Sequence, residues 1–366
     1  MNTTTTIDWE IREGRPAAAD AQGSDLDRTC DWLRGSRDAI RAGLDEHGAL
    51  YLRGLPVTSV QDVARVRDAL VSRLAGYVEK ATPRSHFGGD VYSSTDLPPS
   101  QAIRPHNENS YALTFPGMLM FCCLVAPDEG GATPVTDVRK VLNDIPAPLA
   151  DRFREHGWSL VRNYGDHISL GWRTAFGTED REEVAAYCAE NHIAHEWVGE
   201  DRLRTVQRRS ATVRHPGTGE EAWFNHTVFW NEWALEEEVR EVFLEDLGHA
   251  GLPFNTAYGN GEPISRQDIE IIDEAYRRAT VRETWRPGDI LIVDNILAAH
   301  ARESFKGSRK IVVTMGDPVA LDACSPTVPP RAGFATSGTA SGAASGTVSE
   351  GGAAPARTRR WFGRRS

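Results

Sequence analysis

Two candidate metal ligands share the segment Arg104-Pro105-His106-Asn107-Glu108-Asn109-Ser110-Tyr111, and a third stands far downstream in Asp294-Asn295-Ile296-Leu297-Ala298-Ala299-His300. A chain that uses all three on one ion must bring a late segment alongside an early one, which limits the folds open to it. Side chains two apart on a strand point to the same side, so His106 and Glu108 reach one ion together. One His-x-Glu pair with a remote histidine is what a two-histidine, one-carboxylate face needs to hold a divalent iron with three positions open.

Alone, the triplet is a short polar pattern that also arises by chance, and a histidine on a strand is often only hydrogen-bonded. Its context adds weight. Gly288-Asp289-Ile290-Leu291-Ile292-Val293-Asp294 is a turn leading into an apolar run of strand length just before His300. Arg309 opens the next apolar run, Ile311-Val312-Val313. An arginine there suits a dicarboxylate, because its planar fork meets a carboxylate with two parallel hydrogen bonds.

The rest of the chain mixes short strands with helices. Helical spacing predicts a helix over residues 26–44, a strand over 49–52 and a turn over 54–56. Ser59 and Asp62 have capping-box spacing, predicting a helix through Leu74 with Gly76 as its stop. Residues 83–105 are rich in Ser, Gly, Pro and Asp and read as loops beside the metal strand. Further helices are expected near 146–156, 179–191, 232–247 and 265–279. Ligands arriving from distant strands favour a jelly-roll scaffold over a parallel doubly wound sheet.

His106-Asn107-Glu108, then Pro127-Asp128-Glu129-Gly130-Gly131-Ala132-Thr133-Pro134, then His300 with Arg309 resemble the iron(II)/2-oxoglutarate dioxygenases of the taurine dioxygenase superfamily. Within it, three segments are similar to the subgroup containing the syringomycin-type aspartyl hydroxylase. They are Trp223-Phe224-Asn225-His226, Tyr258-Gly259-Asn260-Gly261 and His300-Ala301-Arg302-Glu303-Ser304-Phe305-Lys306-Gly307-Ser308-Arg309-Lys310. The resemblance covers most of the chain. It implies a mainly β fold with helical insertions (α+β), a double-stranded β-helix or jelly roll. It also implies Fe(2+) on His106, Glu108 and His300, with 2-oxoglutarate as cosubstrate and O2 completing the set. The far carboxylate of 2-oxoglutarate would rest on Thr133 and Arg309, Arg309 being the further residue expected to serve catalysis. Lys310 lies one position on and would face the other way on a strand; Arg309 is favoured because its bidentate fork suits a carboxylate better than a point charge, and Arg302 is an alternative.

Related iron halogenases lack the ligand carboxylate, so the presence of Glu108 argues for hydroxylation. The implied function is hydroxylation of an aliphatic carbon of an amino acid, free or tethered to a carrier protein, in natural-product biosynthesis. Rival readings are a dioxygenase of another small anion such as a sulfonate, and a catalytically silent jelly-roll protein that binds metal or 2-oxoglutarate. Candidate substrate contacts are Asn109, Arg162, Asn225 and His226. Arg162 is equally open to a structural role, His226 to that of a hydrogen-bonded core histidine, and Asn109 is singled out only by nearness to Glu108.

The 366 residues are expected to form one elaborated domain over residues 26–318, after a loose leader over 1–25. From 319 to 366 the composition turns to Ala, Gly, Ser, Thr and Pro, which predicts a disordered tail with an Arg-rich end at Arg357 to Arg365. That end is a candidate docking peptide for an acidic partner or simply a solubilising tail. A net charge of -11 argues against nucleic acid as a partner, which needs a concentrated basic face. The five cysteines have no zinc spacing and read as reduced core thiols. With neither a secretory leader nor a membrane-length apolar run, a cytoplasmic protein is expected, where iron(II) and thiols stay reduced.

Overall fold

Met118 to Cys123 is an unbroken apolar run, and its alternation explains the sheet it joins. In strand Thr114–Val125, Met118, Met120 and Cys122 enter one hydrophobic cluster, while Leu119, Phe121 and Cys123 enter another on the opposite face. A strand covered on both sides has no polar face to show, hence the run. The computed structural model describes residues 6–76, 79–80, 84–165 and 169–333. Thr114–Val125 sits inside a six-stranded sheet ordered Ala17–Asp20, Ala49–Arg53, Ile290–Asp294, Thr114–Val125, Lys310–Ala320, Tyr92–Ser93. Only its first pair is parallel.

Helices cover one face of this sheet. The apolar stretch expected as one helix forms two, Leu26–Gly35 and Arg37–His47, broken at Ser36. Val60–Leu70 has the expected reciprocal capping box between Ser59 and Asp62, but ends earlier than expected because Val71 turns extended. Leu33, Ile40, Leu44, Val63 and Val66 seat these helices on Met118, Met120 and Ile292. The other face meets a four-stranded sheet ordered Thr280–Val281, Val135–Asp137, Ala298–Arg302, Ile103–His106. Val135 and Ala298 of that sheet pack with Leu119, Phe121 and Val313. Two stacked sheets thus share one core, with His106 on the edge strand of the smaller sheet and His300 on the strand beside it.

A further sheet builds on Trp158–Tyr164 and Arg202–Arg209, flanked by Phe254–Tyr258, Ile193–Val198 and Arg331–Ala332. Helices Ala147–His156, Arg181–Glu190, Glu237–Gly251 and Arg266–Ala279 stand close to their expected places. Within the loop-like residues 84–105 lie the short strand Tyr92–Ser93 and most of the metal strand Ile103–His106; Pro83 is outside the described residues.

Both domain limits need correction. Residues 6–25 are not a loose leader: Ala17–Asp20 pairs with Ala49–Arg53, and Ile7 and Trp9 pack on the core. Glu10 bridges to Ala18, although Ile7 to Ile11 forms no strand. Residues 319–333 belong to the body as well, since Leu321, Cys324 and Val328 are buried and Arg331–Ala332 extends a sheet. Backbone pairing does what composition does not reveal. Residues 1–5 and 334–366, with the Arg-rich end, lie outside the described residues. All five cysteines are buried and unbridged, and no helix among the described residues is long and apolar enough to cross a membrane.

Candidate active site

Strand Ile103–His106 pairs antiparallel with Ala298–Arg302, and the register sets His106 directly opposite His300. Their ring centres are 4.3 Å apart. Strand alternation does not place Glu108, as the strand ends at His106 and Glu108 sits in the turn that follows. Asn109, with φ 54°, takes the left-handed conformation that asparagine tolerates and bends the chain there. Ligand atoms of His106, Glu108 and His300 lie within 4.8 Å of one another.

The donor set fits a divalent iron. His106 donates Nδ1–H to the Arg104 carbonyl at 3.0 Å, which leaves the Nε2 lone pair for an ion. His300 Nε2 and Glu108 Oε2 are 3.8 Å apart, too far to hydrogen-bond, a gap a shared ion would bridge. Burial lowers the pKa of His106 and depresses that of His300 strongly, His106 adding to the latter, so both rings favour the neutral form a metal needs. Arg84 Nη2 donates to Glu108 Oε2 at 2.7 Å, both side chains being buried. Arg84 was not foreseen: it is a single arginine in a loop-like stretch, with no spacing that links it to Glu108.

Arg84, His106, Thr133, Phe229, His300 and Arg309 are among the residues lining one cleft that opens to solvent. Arg309 comes just before strand Lys310–Ala320 and points into the cleft. It donates to the Gly131 carbonyl at 2.9 Å, Ser94 Oγ at 3.1 Å and Thr133 Oγ1 at 3.3 Å. Trp285 Nε1 donates to the same Thr133 oxygen at 3.2 Å. Burial, with Arg302 nearby, pulls the Arg309 pKa down to about 10, still charged at neutral pH. Lys310 is exposed and lies over Phe87. Arg302 is held by the carbonyls of Leu97, Pro98 and Gln101 at 3.1, 2.7 and 2.6 Å, so its fork is already engaged.

None of the four candidate substrate contacts is among the cleft-lining residues. Arg162 is buried against Glu79, meeting its carbonyl and Oε1 at 3.3 Å each and the Lys80 carbonyl at 2.9 Å, with Tyr164 and Phe254 around the guanidinium. A cation already matched to a buried carboxylate has a structural role. Asn225 bonds the Ala211 carbonyl and the Thr227 N–H, both at 2.9 Å, and shapes the backbone. Asn109 accepts from the Tyr111 hydroxyl at 3.0 Å. The His226 ring lies 5.7 Å from that of His106, but it pairs through Nδ1 with Ser110 Oγ at 2.6 Å and stacks on Trp230.

A second group, Asp45, His215 and Asp294, also has ligand atoms within 4.8 Å of one another. Here His215 Nδ1 accepts the Thr218 N–H at 3.0 Å, so Nε2 carries the proton and donates to Asp294 Oδ2 at 3.2 Å. Asp294 Oδ1 accepts the N–H groups of Ile296 and Leu297. These bonds explain the cluster as a brace beneath the turn that precedes His300.

Comparison with known proteins agrees with this architecture. Residues 10–315 match the family model described as "Taurine catabolism dioxygenase TauD, TfdA family". The dapdiamide synthesis protein DdaC of Enterobacter agglomerans is 38% identical over 276 residues, 75% of this chain and 84% of that protein. A clavaminate synthase-like protein of Arabidopsis thaliana is 27% identical over 283 residues, 74% of this chain and 82% of that one. A taurine dioxygenase from Burkholderia xenovorans shares the fold at 18% identity with a TM-score of 0.50, covering 87% of this chain and 93% of that one. AAD-2, solved with Mn(II) and N-oxalylglycine, shares it at 14% identity and a TM-score of 0.52, covering 88% and 100%. The chain belongs to the taurine catabolism dioxygenase TauD/TfdA family of 2-oxoglutarate-dependent dioxygenases, enzymes that use iron(II), 2-oxoglutarate and dioxygen.

Proposed function

We propose that this dioxygenase hydroxylates an aliphatic carbon of an amino acid, free or tethered to a carrier protein, in natural-product biosynthesis, on a double-stranded β-helix (jelly roll) scaffold. The observation that carries the reading is the shared cleft, lined by both histidines and by the Arg309–Thr133 pair, with the Glu108 carboxylate within 4.8 Å of the histidine ligand atoms. In it, His106, Glu108 and His300 would hold iron(II), and Arg309 with Thr133 would hold the far carboxylate of 2-oxoglutarate. The bound iron supplies the redox chemistry that couples decarboxylation of 2-oxoglutarate to oxidation of the substrate carbon. Arg309 fixes the cosubstrate by a charge-assisted bond, and Phe121 and Phe229 help keep water from the reacting carbon.

Glu108 at the carboxylate position supports hydroxylation, and the 38% identity to a protein of dapdiamide synthesis supports an amino-acid substrate in a biosynthetic setting. Of the expected substrate contacts, His226 is the one we retain, because its ring stands 5.7 Å from that of His106. Oxidation of a sulfonate is the enzymatic rival. Mass spectrometry of matched free and carrier-bound amino acids and of simple sulfonates, each with iron(II) and 2-oxoglutarate, tests the reading. A gain of one oxygen on an amino acid in either form supports it. Oxidation of sulfonates alone overturns it.

A further inference from the structure

Glu108 lies outside regular structure, yet its direction is set from both sides. Its backbone N–H donates to Asn295 Oδ1 at 2.7 Å, and its backbone carbonyl accepts from Asn295 Nδ2 at 2.9 Å. One side-chain amide therefore takes both peptide groups of Glu108, as a neighbouring strand would. The same Nδ2 donates to the Pro116 carbonyl at 2.8 Å, and the Asn295 N–H donates to the Gly117 carbonyl at 2.9 Å, which anchors the amide to the six-stranded sheet. Asn107 returns the contact: its Nδ2 donates to the Asn295 carbonyl at 2.7 Å and to that of Ala298 at 3.3 Å. Both asparagines are fully buried.

The two side chains join the turn that carries Glu108 to the turn that leads into the strand of His300. A carboxylate on an unsupported turn samples many directions, and each lowers the population with an oxygen facing the two imidazoles. Holding both peptide groups of Glu108 fixes the direction in which its side chain leaves the backbone, which is what orients a ligand before the ion arrives. We propose that Asn295, supported by Asn107, is a positioning residue that pre-sets Glu108 as a metal ligand. The proposal rests on the reading of Glu108 as a ligand.

The test is the affinity of the metal-free full-length protein for Co(II), followed by its visible absorption, in Asn295→Ala, Asn107→Ala, Glu108→Ala and Asn163→Ala. Asn163 is the control: its amide also grips two backbone carbonyls, those of Ala250 and Leu252, but in the five-stranded sheet. Circular dichroism fixes a temperature at which each variant is folded. Asn295→Ala is expected to weaken Co(II) binding about tenfold to a hundredfold and to alter the cobalt spectrum, with Asn163→Ala like the parent. If Asn295→Ala does not fold, Asn107→Ala, which removes only the supporting donors, carries the test. Parent-like affinity in the folded asparagine variants overturns the proposal, as does an equal loss in Asn163→Ala. Parent-like affinity in Glu108→Ala overturns instead the ligand assignment beneath it.

Discussion

His106 and His300 face each other as paired residues of two antiparallel strands that lie far apart in the sequence. The pairing makes the candidate metal site a property of sheet register. A one-residue slip would turn one imidazole away from the other, and Asn107 bonding to the Asn295 and Ala298 carbonyls resists such a slip.

Arg309→Gln should weaken 2-oxoglutarate binding by roughly a hundredfold while iron(II) affinity stays intact, because it removes a charge-assisted contact away from the ion. Lys310→Gln, at an exposed position, should leave both unchanged. Titration of 2-oxoglutarate into the anaerobic iron-loaded variants measures the two. If the damage follows Lys310, the residue facing the cosubstrate has been misassigned.

Arg84→Gln should destabilise the metal-free protein, since it strips a buried carboxylate of an ion-pair partner 2.7 Å away. Breaking a buried pair from one side typically costs about 3–5 kcal/mol. A divalent ion on Glu108 would replace the lost charge, so saturating Co(II) should raise the Tm of the variant more than that of the parent. Equal metal-induced shifts in Tm would show that Arg84 and the ion do not share Glu108.

Burial lowers the pKa of His106 and, more strongly, of His300, from an ordinary value of 6.5. With folded values depressed, protons compete with a metal only once pH falls below the ordinary histidine range. Co(II) affinity should therefore stay level from neutral pH down to about 6.5, with little proton release from the imidazoles. Calorimetry in two buffers of different ionisation enthalpy reads this release. About one proton or more per ion from the imidazoles at neutral pH would contradict it.

Ending the chain after Pro318 should lower the Tm relative to ending it after Gly333. The shorter chain loses buried Leu321, Cys324 and Val328 and the strand Arg331–Ala332. Each large aliphatic side chain contributes roughly 1.5–3 kcal/mol by burial. Identical melting would show that residues 319–333 add nothing to the core.

Residue chemistry and strand period made much of the site legible. The sequence marks His106, Glu108 and His300 as candidate ligands, and the structure brings their ligand atoms within 4.8 Å of one another; it marks the Ile290–Asp294 run as the strand leading to His300; and the bidentate chemistry of arginine favours Arg309, which lines the cleft, over exposed Lys310. What was hidden depends on contacts far apart in sequence. The partner of Arg162 is Glu79, and nothing local to either residue announces the pair. Arg84 reaches Glu108 from a loop without periodicity. The ends of the body were misjudged because Ala17–Asp20 and Arg331–Ala332 are held by backbone hydrogen bonds to neighbouring strands, which composition does not register. The strand alternation expected to place Glu108 beside His106 does not operate, since a turn braced by Asn295 carries Glu108 instead.

Anaerobic addition of iron(II) and 2-oxoglutarate to the metal-free protein tests the central claim most directly, because a keto acid chelating iron on a three-ligand face gives a weak visible metal-to-ligand charge-transfer band. The band is expected in the parent protein and should be lost or strongly weakened in His106→Ala, Glu108→Ala and His300→Ala. Its persistence at full strength in all three variants, with iron affinity unchanged, would contradict the assignment of the site.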